Sequence, residues 1–522
     1  MSDLNDLMPM IQLNQAELKK PGVISIRPGY QLKDGWPTTT PAIVVIVSKT
    51  AEHVALPMQI EGVPIDVREA TAVEELRFQE PARFAAIASQ RAEFRPGAFD
   101  NLDPVAGVER ADGDEASVDV EAAKPELVYT PADVPLTPIT GKFTITCHAS
   151  PDAGWPTLKD FLRQTKSTLT VGIYDFTSKH ILDAIEVSLA GKGDLTMTLD
   201  NPAKNPTADQ TDSESVDALT TELGDNFHPA WALVRSNPAV TSWIFPTAYH
   251  IKVAVRDSNS MWLSSGNWNN SNQPDFDPIG SPGAHDQLTA RKSDRDWHVI
   301  VEHADLAKTY EAYLKHDFEV AHDTAGGGNS PLGVAAEESV PDVFRTATAA
   351  SFTFHKPLQI TNEEMTITPL LTPDPGLYQK AMMTLLQSAQ SKLYIQLQYI
   401  HPSDKAGDEG FAALINVVIA KINAGVDVRI ILSQWQLSQG WLERLQSAGV
   451  DLKVVKIQNG VHNKGFVVDS KIVALGSQNW SAEGVLRNRD ASVIIDHQKA
   501  AQYYESIFVH DWDNIAKQSV NP

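Results

Sequence analysis

The chain has 522 residues, 42% of them hydrophobic, with 66 acidic against 43 basic side chains and a formal net charge of −23. That length supports two or three domains or one large bilobal one, and the charge repels polyanions outside any local basic cleft, which argues against nucleic-acid binding through a general basic face. A single cysteine, Cys147, excludes an intramolecular disulfide, and no apolar run approaches the ~18 residues that cross a bilayer, so any contact with lipid is expected to be peripheral.

The first twenty residues are acidic rather than basic at their start and lack an apolar core followed by a small-residue cleavage site. No Sec-type export is therefore expected, which places the chain in the cytoplasm or among proteins exported by another route. Residues 42–47, a β-branched run between Pro41 and Ser48, predict a strand, and residues 63–67 predict a second. Together they suggest a small N-terminal α/β module over residues 1–80. Between Asp100 and Asp133 ten acidic residues face only Arg110 and Lys124 amid Gly, Ala and Pro. Such a stretch cannot bury enough apolar surface to offset the entropy of ordering, and residues 81–140 are read as an acidic linker. A Gly-rich and then acidic, Ala-rich stretch at 324–350 is read as a second linker.

The two segments that this second linker separates, 141–323 and 351–522, repeat one another. In the first, residues 167–176 predict a strand, residues 180–189 a helix, and a further strand ends at Asp200. In the second, residues 392–400, 410–424 and 426–432 predict the same succession. Strand, helix, strand in each half implies two similar α/β lobes with mixed, largely parallel sheets flanked by helices. The acidic helical stretch 209–225 and the Asn-, Pro- and Gly-rich segment 269–285 have no equivalents of that length in the second half, and serve either as substrate-selecting loops or as solvated surface.

Each half then runs into the same motif. The first copy is His250-x-Lys252-x4-Asp257, and after six intervening residues comes Ser264-Ser265-Gly266-Asn267-Trp268. The second is His462-x-Lys464-x4-Asp469, and after six more comes Gly476-Ser477-Gln478-Asn479-Trp480. One copy could arise by chance; two copies with one spacing, one in each half of a repeat, do not. On a strand His250 and Lys252 project together while Asp257 points to the other face, so His and Lys can meet one phosphate as the Asp anchors the strand. Ser265 with Asn267, and Ser477 with Asn479, likewise share a face and offer hydroxyl and amide donors to phosphate oxygens. Two lysines, two serines and two asparagines converging on one phosphate neutralise a pentacoordinate transition state without a metal. Trp268 and Trp480 are read as packing beneath the motif loops, and Cys147 and His148 as a buried thiol and an incidental histidine. The remaining histidines have no spacing that closes a metal site.

These residues resemble the phospholipase D superfamily, over roughly 141–522. The resemblance implies one bilobal domain, both motif strands at the shared interface, and no cofactor. It implies that one histidine attacks phosphorus to give a phosphohistidine while the other protonates the leaving alcohol and then activates water or an acceptor alcohol. His250 is assigned the nucleophile and His462 the acid. It also implies an acidic residue after each Ser-x-Asn block to orient a histidine, for which Asp296, in Asp294-Arg295-Asp296, and Asp490, in Asn488-Arg489-Asp490, are the candidates. Ser264 and Asp294 depart from the residues found at Gly476 and Asn488. The implied activity is hydrolysis of phospholipid head groups with possible phosphatidyl transfer, on a substrate in a membrane or micelle. The alternative is a nuclease of the same superfamily, and the N-terminal module is a candidate dock for a protein partner.

Overall fold

The structure is a computed structural model that describes residues 4–33, 36–48, 54–70, 78–79, 130–191, 193–200, 203–204, 209–237, 240–243, 248–324, 334–335, 352–374, 376–437 and 440–518. Most of both expected linkers lies outside these residues.

At the N-terminus a helix α1 (Leu4–Leu13) covers a sheet of β1 (Val23–Lys33), β2 (Trp36–Val47), β3 (Gln59–Ile60) and β4 (Val63–Glu69) in the order β1-β2-β4-β3. The run 42–46 is apolar throughout because β2 lies between two strands and is buried on both faces, with Leu7 and Ile11 of α1 against it.

The first lobe comprises β5 (Ile139–Ser150), α2 (Gly154–Arg163), β6 (Thr168–Ile173), α3 (Lys179–Leu189), β7 (Asp194–Leu199), α4 (Asp212–Leu223), β8 (Phe227–Trp231), β9 (Lys252–Arg256), β10 (Ser260–Ser264), β11 (Asp296–Glu302) and α5 (Ala304–Thr324). The second comprises β12 (Leu358–Thr372), α6 (Leu377–Ser388), β13 (Lys392–Leu397), α7 (Glu409–Asn423), β14 (Asp427–Leu432), α8 (Trp441–Ser447), β15 (Val455–Ile457), β16 (Lys464–Val468), β17 (Ile472–Gly476), α9 (Ala482–Leu486), β18 (Asp490–Asp496), α10 (Gln498–His510) and β19 (Lys517–Gln518). Among the described residues their strands form one fifteen-stranded sheet, in the order β19-β15-β14-β13-β16-β17-β18-β12-β5-β11-β10-β9-β6-β7-β8.

The sheet is mixed, but the expectation of largely parallel sheets needs correcting. Parallel pairing is confined to the outer parts, β6-β7-β8 and β13-β14-β15, where helices such as α3 and α7 supply crossovers. The motif strands sit in hairpins, β9-β10 and β16-β17, and a tight turn can join only antiparallel strands. At the centre β5 and β12 pair antiparallel and make the two lobes a single sheet.

The core under that seam is shared. Buried residues of α5 and α10 pack in one cluster with strands of both lobes. Tyr310 of α5 donates to the Ser492 carbonyl of β18 at 2.5 Å, and Tyr504 of α10 donates to the His298 carbonyl of β11 at 2.5 Å. Each lobe's long helix thus holds the other lobe's central strand. Of the two insertions, α4 is capped by Thr211 and Glu214 and buries Leu219 in lobe 1, while Asn272 and Gln273 anchor the 269–285 segment in the interior. No described helix is long and apolar enough to cross a membrane.

Candidate active site

The motif strands β9 and β16 are five residues each and buried throughout. Both end in a three-residue connection whose first two positions have positive φ, 51° and 49° at Asp257 and Ser258, 51° and 57° at Asp469 and Ser470. Asp and Ser tolerate that left-handed geometry better than β-branched residues do. The Asp257 carboxylate accepts the backbone N–H groups of Lys166 at 3.0 Å, Ser167 at 2.8 Å and Thr168 at 3.1 Å. Asp469 does the same with Gln390, Ser391 and Lys392 at 2.9, 2.8 and 2.8 Å. Partial burial works to raise each carboxyl, and the donated N–H groups outweigh it, so both are held low. Each motif strand is thereby anchored to the start of its neighbour, β6 or β13.

At the other end of each strand the two lobes exchange partners. Nδ1 of His250, in lobe 1, lies 2.8 Å from Oδ1 of Asp490 in lobe 2, and Nδ1 of His462, in lobe 2, lies 3.0 Å from Oδ1 of Asp296 in lobe 1. Both histidines are buried, with 5% and 4% exposure. A neutral imidazole facing a carboxylate carries its proton on the facing nitrogen, so Nδ1–H donates and Nε2 keeps its lone pair. Burial first, then Lys252, pulls His250 down to about 4 against the opposing effect of Asp490. His250 is therefore an unprotonated base at neutral pH. Burial would raise Asp296, but His462 and Lys464 outweigh it and bring the carboxyl to about 2.

Short cross-lobe bridges bring these partners together: Tyr249 lies against Arg489 and Arg295 against Val461. The backbone N–H of His462 donates to the Arg295 carbonyl at 3.1 Å. Each histidine is thus delivered next to the segment that carries the other lobe's aspartate.

Lys252 Nζ donates to the His250 carbonyl at 2.8 Å. Lys464 Nζ donates to the His462 carbonyl at 2.6 Å, reaches the Ser265 carbonyl across the seam at 3.4 Å, and lies 3.2 Å from both ring nitrogens of His462. The serines lie against the aspartates. Ser265 Oγ donates to Asp296 Oδ1 at 2.6 Å and Ser477 Oγ donates to Asp490 Oδ1 at 2.5 Å. A hydroxyl has one proton, and here it goes to the carboxylate, so each serine braces the aspartate that faces the opposite lobe's histidine. The asparagines are different again. Among the described residues neither side-chain atom of fully buried Asn267 has a hydrogen-bond partner, nor does Asn479 Oδ1. Buried amides left unpaired cost free energy that a bound polar group would return.

Trp268 and Trp480 are fully buried and pack edge-on against Phe176 and Phe411. Ser264, where the second copy has Gly476, accepts from the Gly266 N–H at 2.7 Å and bonds Nδ1 of His298 at 2.6 Å. Asp294 takes the Asn272 amide at 3.0 Å, and Asn272 Oδ1 in turn accepts the Asn267 N–H at 2.9 Å, so the 269–285 segment steadies the motif turn.

Three residues beside the site were not anticipated. Tyr174, at the end of β6, stands edge-on to His250 with ring centroids 4.8 Å apart, and Lys252 Nζ lies 5.0 Å from its ring centre. The second half has Gln398 there, so the repeat offered no clue. Arg295 and Arg489 are buried directly before the two orienting acids, and their recurrence at one place in both halves was the available signal. Among the described residues no group of three or more His, Cys, Asp or Glu side chains could hold a metal ion.

Residues 382–512 match the family described as cardiolipin synthase, PLD-like domain. A protein named phospholipase D from Rickettsia conorii is 37% identical over 95 residues, which cover 18% of this chain and 48% of that protein. One named cardiolipin synthase A from Proteus mirabilis is 27% identical over 165 residues, 29% of this chain and 31% of that one. The chain thus spans half or less of the length of these two relatives. A crystal structure of phosphatidylserine synthase from Haemophilus influenzae aligns with 14% identity and a TM-score of 0.48 over 72% of this chain and 89% of that one.

Proposed function

We propose that this chain, a member of the phospholipase D superfamily, is a phosphodiesterase that hydrolyses phospholipid head groups through a phosphohistidine. The observation that carries the reading is the reciprocal pairing of His250 with Asp490 and His462 with Asp296, which fixes both rings by Nδ1 and turns each Nε2 away from the carboxylate. Phospholipids are the substrate class because the matching family and both relatives are named for phospholipid chemistry, and because a body of net charge −23 repels a polynucleotide.

In the first step Nε2 of His250 attacks phosphorus. The bond from phosphorus to the head-group oxygen breaks, and that oxygen takes the Nε2 proton of His462, which must enter this step as the imidazolium and leaves it as neutral imidazole. In the second step His462 removes a proton from water, whose oxygen attacks phosphorus and displaces His250; an acceptor alcohol in place of water gives phosphatidyl transfer. Lys252 and Lys464 offset the charge on the equatorial oxygens, and the Asn267 and Asn479 amides donate to them. Asp296 and Asp490, each braced by a serine, hold the tautomer of the opposite lobe's histidine.

The test is head-group release from phosphatidylcholine vesicles in EDTA, with plasmid DNA as the competing substrate. Choline release that is lost in both His250→Ala and His462→Ala supports the reading. Release that survives both substitutions, or DNA nicking without lipid turnover, overturns it.

A further inference from the structure

Two charged clusters lie behind the site that phosphoryl transfer itself does not employ. Arg295 and Arg489 are 1% and 0% exposed, and a cation that deep is stable only when fully paired. Each guanidinium divides its donors in the same way. On one edge Arg295 Nε and Nη2 grip both oxygens of Asp511, in the other lobe, at 2.9 and 3.1 Å. Its Nη1 donates to the Ser150 carbonyl at 2.9 Å and to Asp152, in its own lobe. Arg489 grips both oxygens of Asp317, again in the other lobe, at 2.7 and 2.5 Å. Its Nη1 donates to the Thr372 carbonyl at 3.2 Å and to Asp374, in its own lobe, at 2.8 Å.

The partners also repeat in sequence. Ser150-Pro151-Asp152 and Thr372-Pro373-Asp374 close β5 and β12, while Asp317 and Asp511 stand the same number of residues after Arg295 and Arg489. Each arginine therefore takes the acid that the repeat places in the opposite half. The main chain adds a second link: Arg295 N–H donates to the Gly460 carbonyl at 2.5 Å and its carbonyl accepts from His462, while Arg489 N–H donates to the Ala248 carbonyl at 2.8 Å. The residue that follows each arginine is the aspartate that crosses the seam to a histidine.

We propose that Arg295 and Arg489 are positioning residues whose forks clasp the seam and set the reach of the aspartate that follows, so that each lobe aligns the histidine of the other. Arg295 governs His462 through Asp296, and Arg489 governs His250 through Asp490. A planar two-edged fork fixes distance and angle together, which a lysine cannot do. The kinetic part of the test rests on the function proposed above; the spectroscopic part does not.

The experiment uses full-length protein labelled with nitrogen-15 at histidine, carrying Arg295→Lys or Arg489→Lys. In wild type both Nδ1–H signals have the low-field position of an imidazole donating to a carboxylate. Arg295→Lys shifts or broadens the His462 signal and spares that of His250; Arg489→Lys does the reverse. Turnover of a phosphodiester falls at least about tenfold in kcat, with KM within about twofold, the scale on which partners behind a reactive group act. Asp511→Glu and Asp317→Glu keep the charge, push the fork back by one methylene, and give the same selective pattern if a lysine variant fails to fold. Folded variants with both signals unchanged, or with both histidines disturbed equally, overturn the proposal. A wild type that cleaves no phosphodiester would sink the proposed function and leave the spectroscopic result standing.

Discussion

The two half-sites carry the same His, Lys, Asp, Ser and Asn at the reacting positions, but the layer behind them differs as a set. In lobe 1 Ser264 pairs across the sheet with His298, and His298 with His148; the lobe 2 counterparts are Gly476, Ser492 and Leu370. His298 is held between Ser264 Oγ at 2.6 Å and Ser150 Oγ at 2.9 Å. Lobe 2 has no imidazole there, and Ser492 Oγ turns to Gln478, which stands where lobe 1 has Gly266. In the proposed reaction the motif positions must serve one phosphorus centre from both sides. The layer behind must only fill its volume and satisfy its polar groups, so its residues change together or not at all.

The two halves part most at the histidines, which look alike but carry different proposed roles. With a phosphodiester whose leaving group is a natural alcohol, His462→Ala is expected to slow kcat by about 10²–10⁴-fold, the range of a lost general acid, and His250→Ala by more. With p-nitrophenolate, which leaves unprotonated, His462→Ala recovers a burst of product and accumulates a phosphorylated His250, whereas His250→Ala gives none. Equal recovery in the two variants, or label found on residue 462 of the wild type, reverses the assignment.

The twofold repeat and its motif strands were readable because identical spacings survive in both halves. Which lobe supplies each partner was not. Strand alternation says on which face His250 and Lys252 lie, but nothing in a linear spacing says that Asp490 reaches His250 and Asp296 reaches His462. The same limit explains the serines: alternation placed Ser265 and Ser477 on the site face, and only the fold reveals that an aspartate lies within 2.6 Å of each hydroxyl. The arginines recur at one offset in both halves, yet their role depends on Asp317 and Asp511, which approach from long helical segments of the opposite lobe. The extent of parallel pairing was overestimated because strand-helix-strand units were legible while the hairpins that carry the motifs lack an Asn-Gly or Asp-Gly signature.

The next largest effect comes from forcing one half to resemble the other at its glycine. A Cβ at Gly476 would lie 2.2 Å from Ser492 Oγ and 2.4 Å from the Ala491 carbonyl, and a backbone atom of a central strand cannot yield cheaply. Gly476→Ser is expected to lower stability by about 1–3 kcal/mol, read from urea midpoints. Adding Gln478→Gly and Ser492→His, lobe 1's own set, should recover part of that loss, since contacting sites are not additive. A triple variant no better than the sum of its single changes would mean that the layer does not act as a set.

A third difference is the acid sensitivity of the layer behind the site, where lobe 1 has His148 and His298 and lobe 2 has Leu370 and Ser492; elsewhere in lobe 2 burial lowers His401 as well. Burial pushes His148 well below its ordinary 6.5, and burial pushes His298 to about 4. Between those limits the unfolded chain binds protons that the folded chain refuses, so stability falls as pH drops below 6.5. Each such histidine contributes a slope of up to about 1.4 kcal/mol per pH unit. His298→Ser, the lobe 2 residue, should flatten the fall between pH 6.5 and 4.5, whatever constant offset in stability it imposes at pH 8. An unchanged acid limb would place the sensitivity elsewhere, for instance at His250 itself.

The smallest expected effect is the one in which the halves should agree. Asp257 and Asp469 each take three consecutive backbone N–H groups at the start of β6 or β13. Both turns are partly open to solvent, so water replaces much of what is lost on truncation. Asp257→Ala and Asp469→Ala are each expected to cost about 1 kcal/mol, the net worth of a few exposed hydrogen bonds. Because the anchor fixes the motif strand at the end away from its histidine, kcat should change less than stability. If one variant loses activity and the other does not, the anchors are not equivalent, and the lobe that fails is the one whose motif strand depends on this turn for its register against β6 or β13.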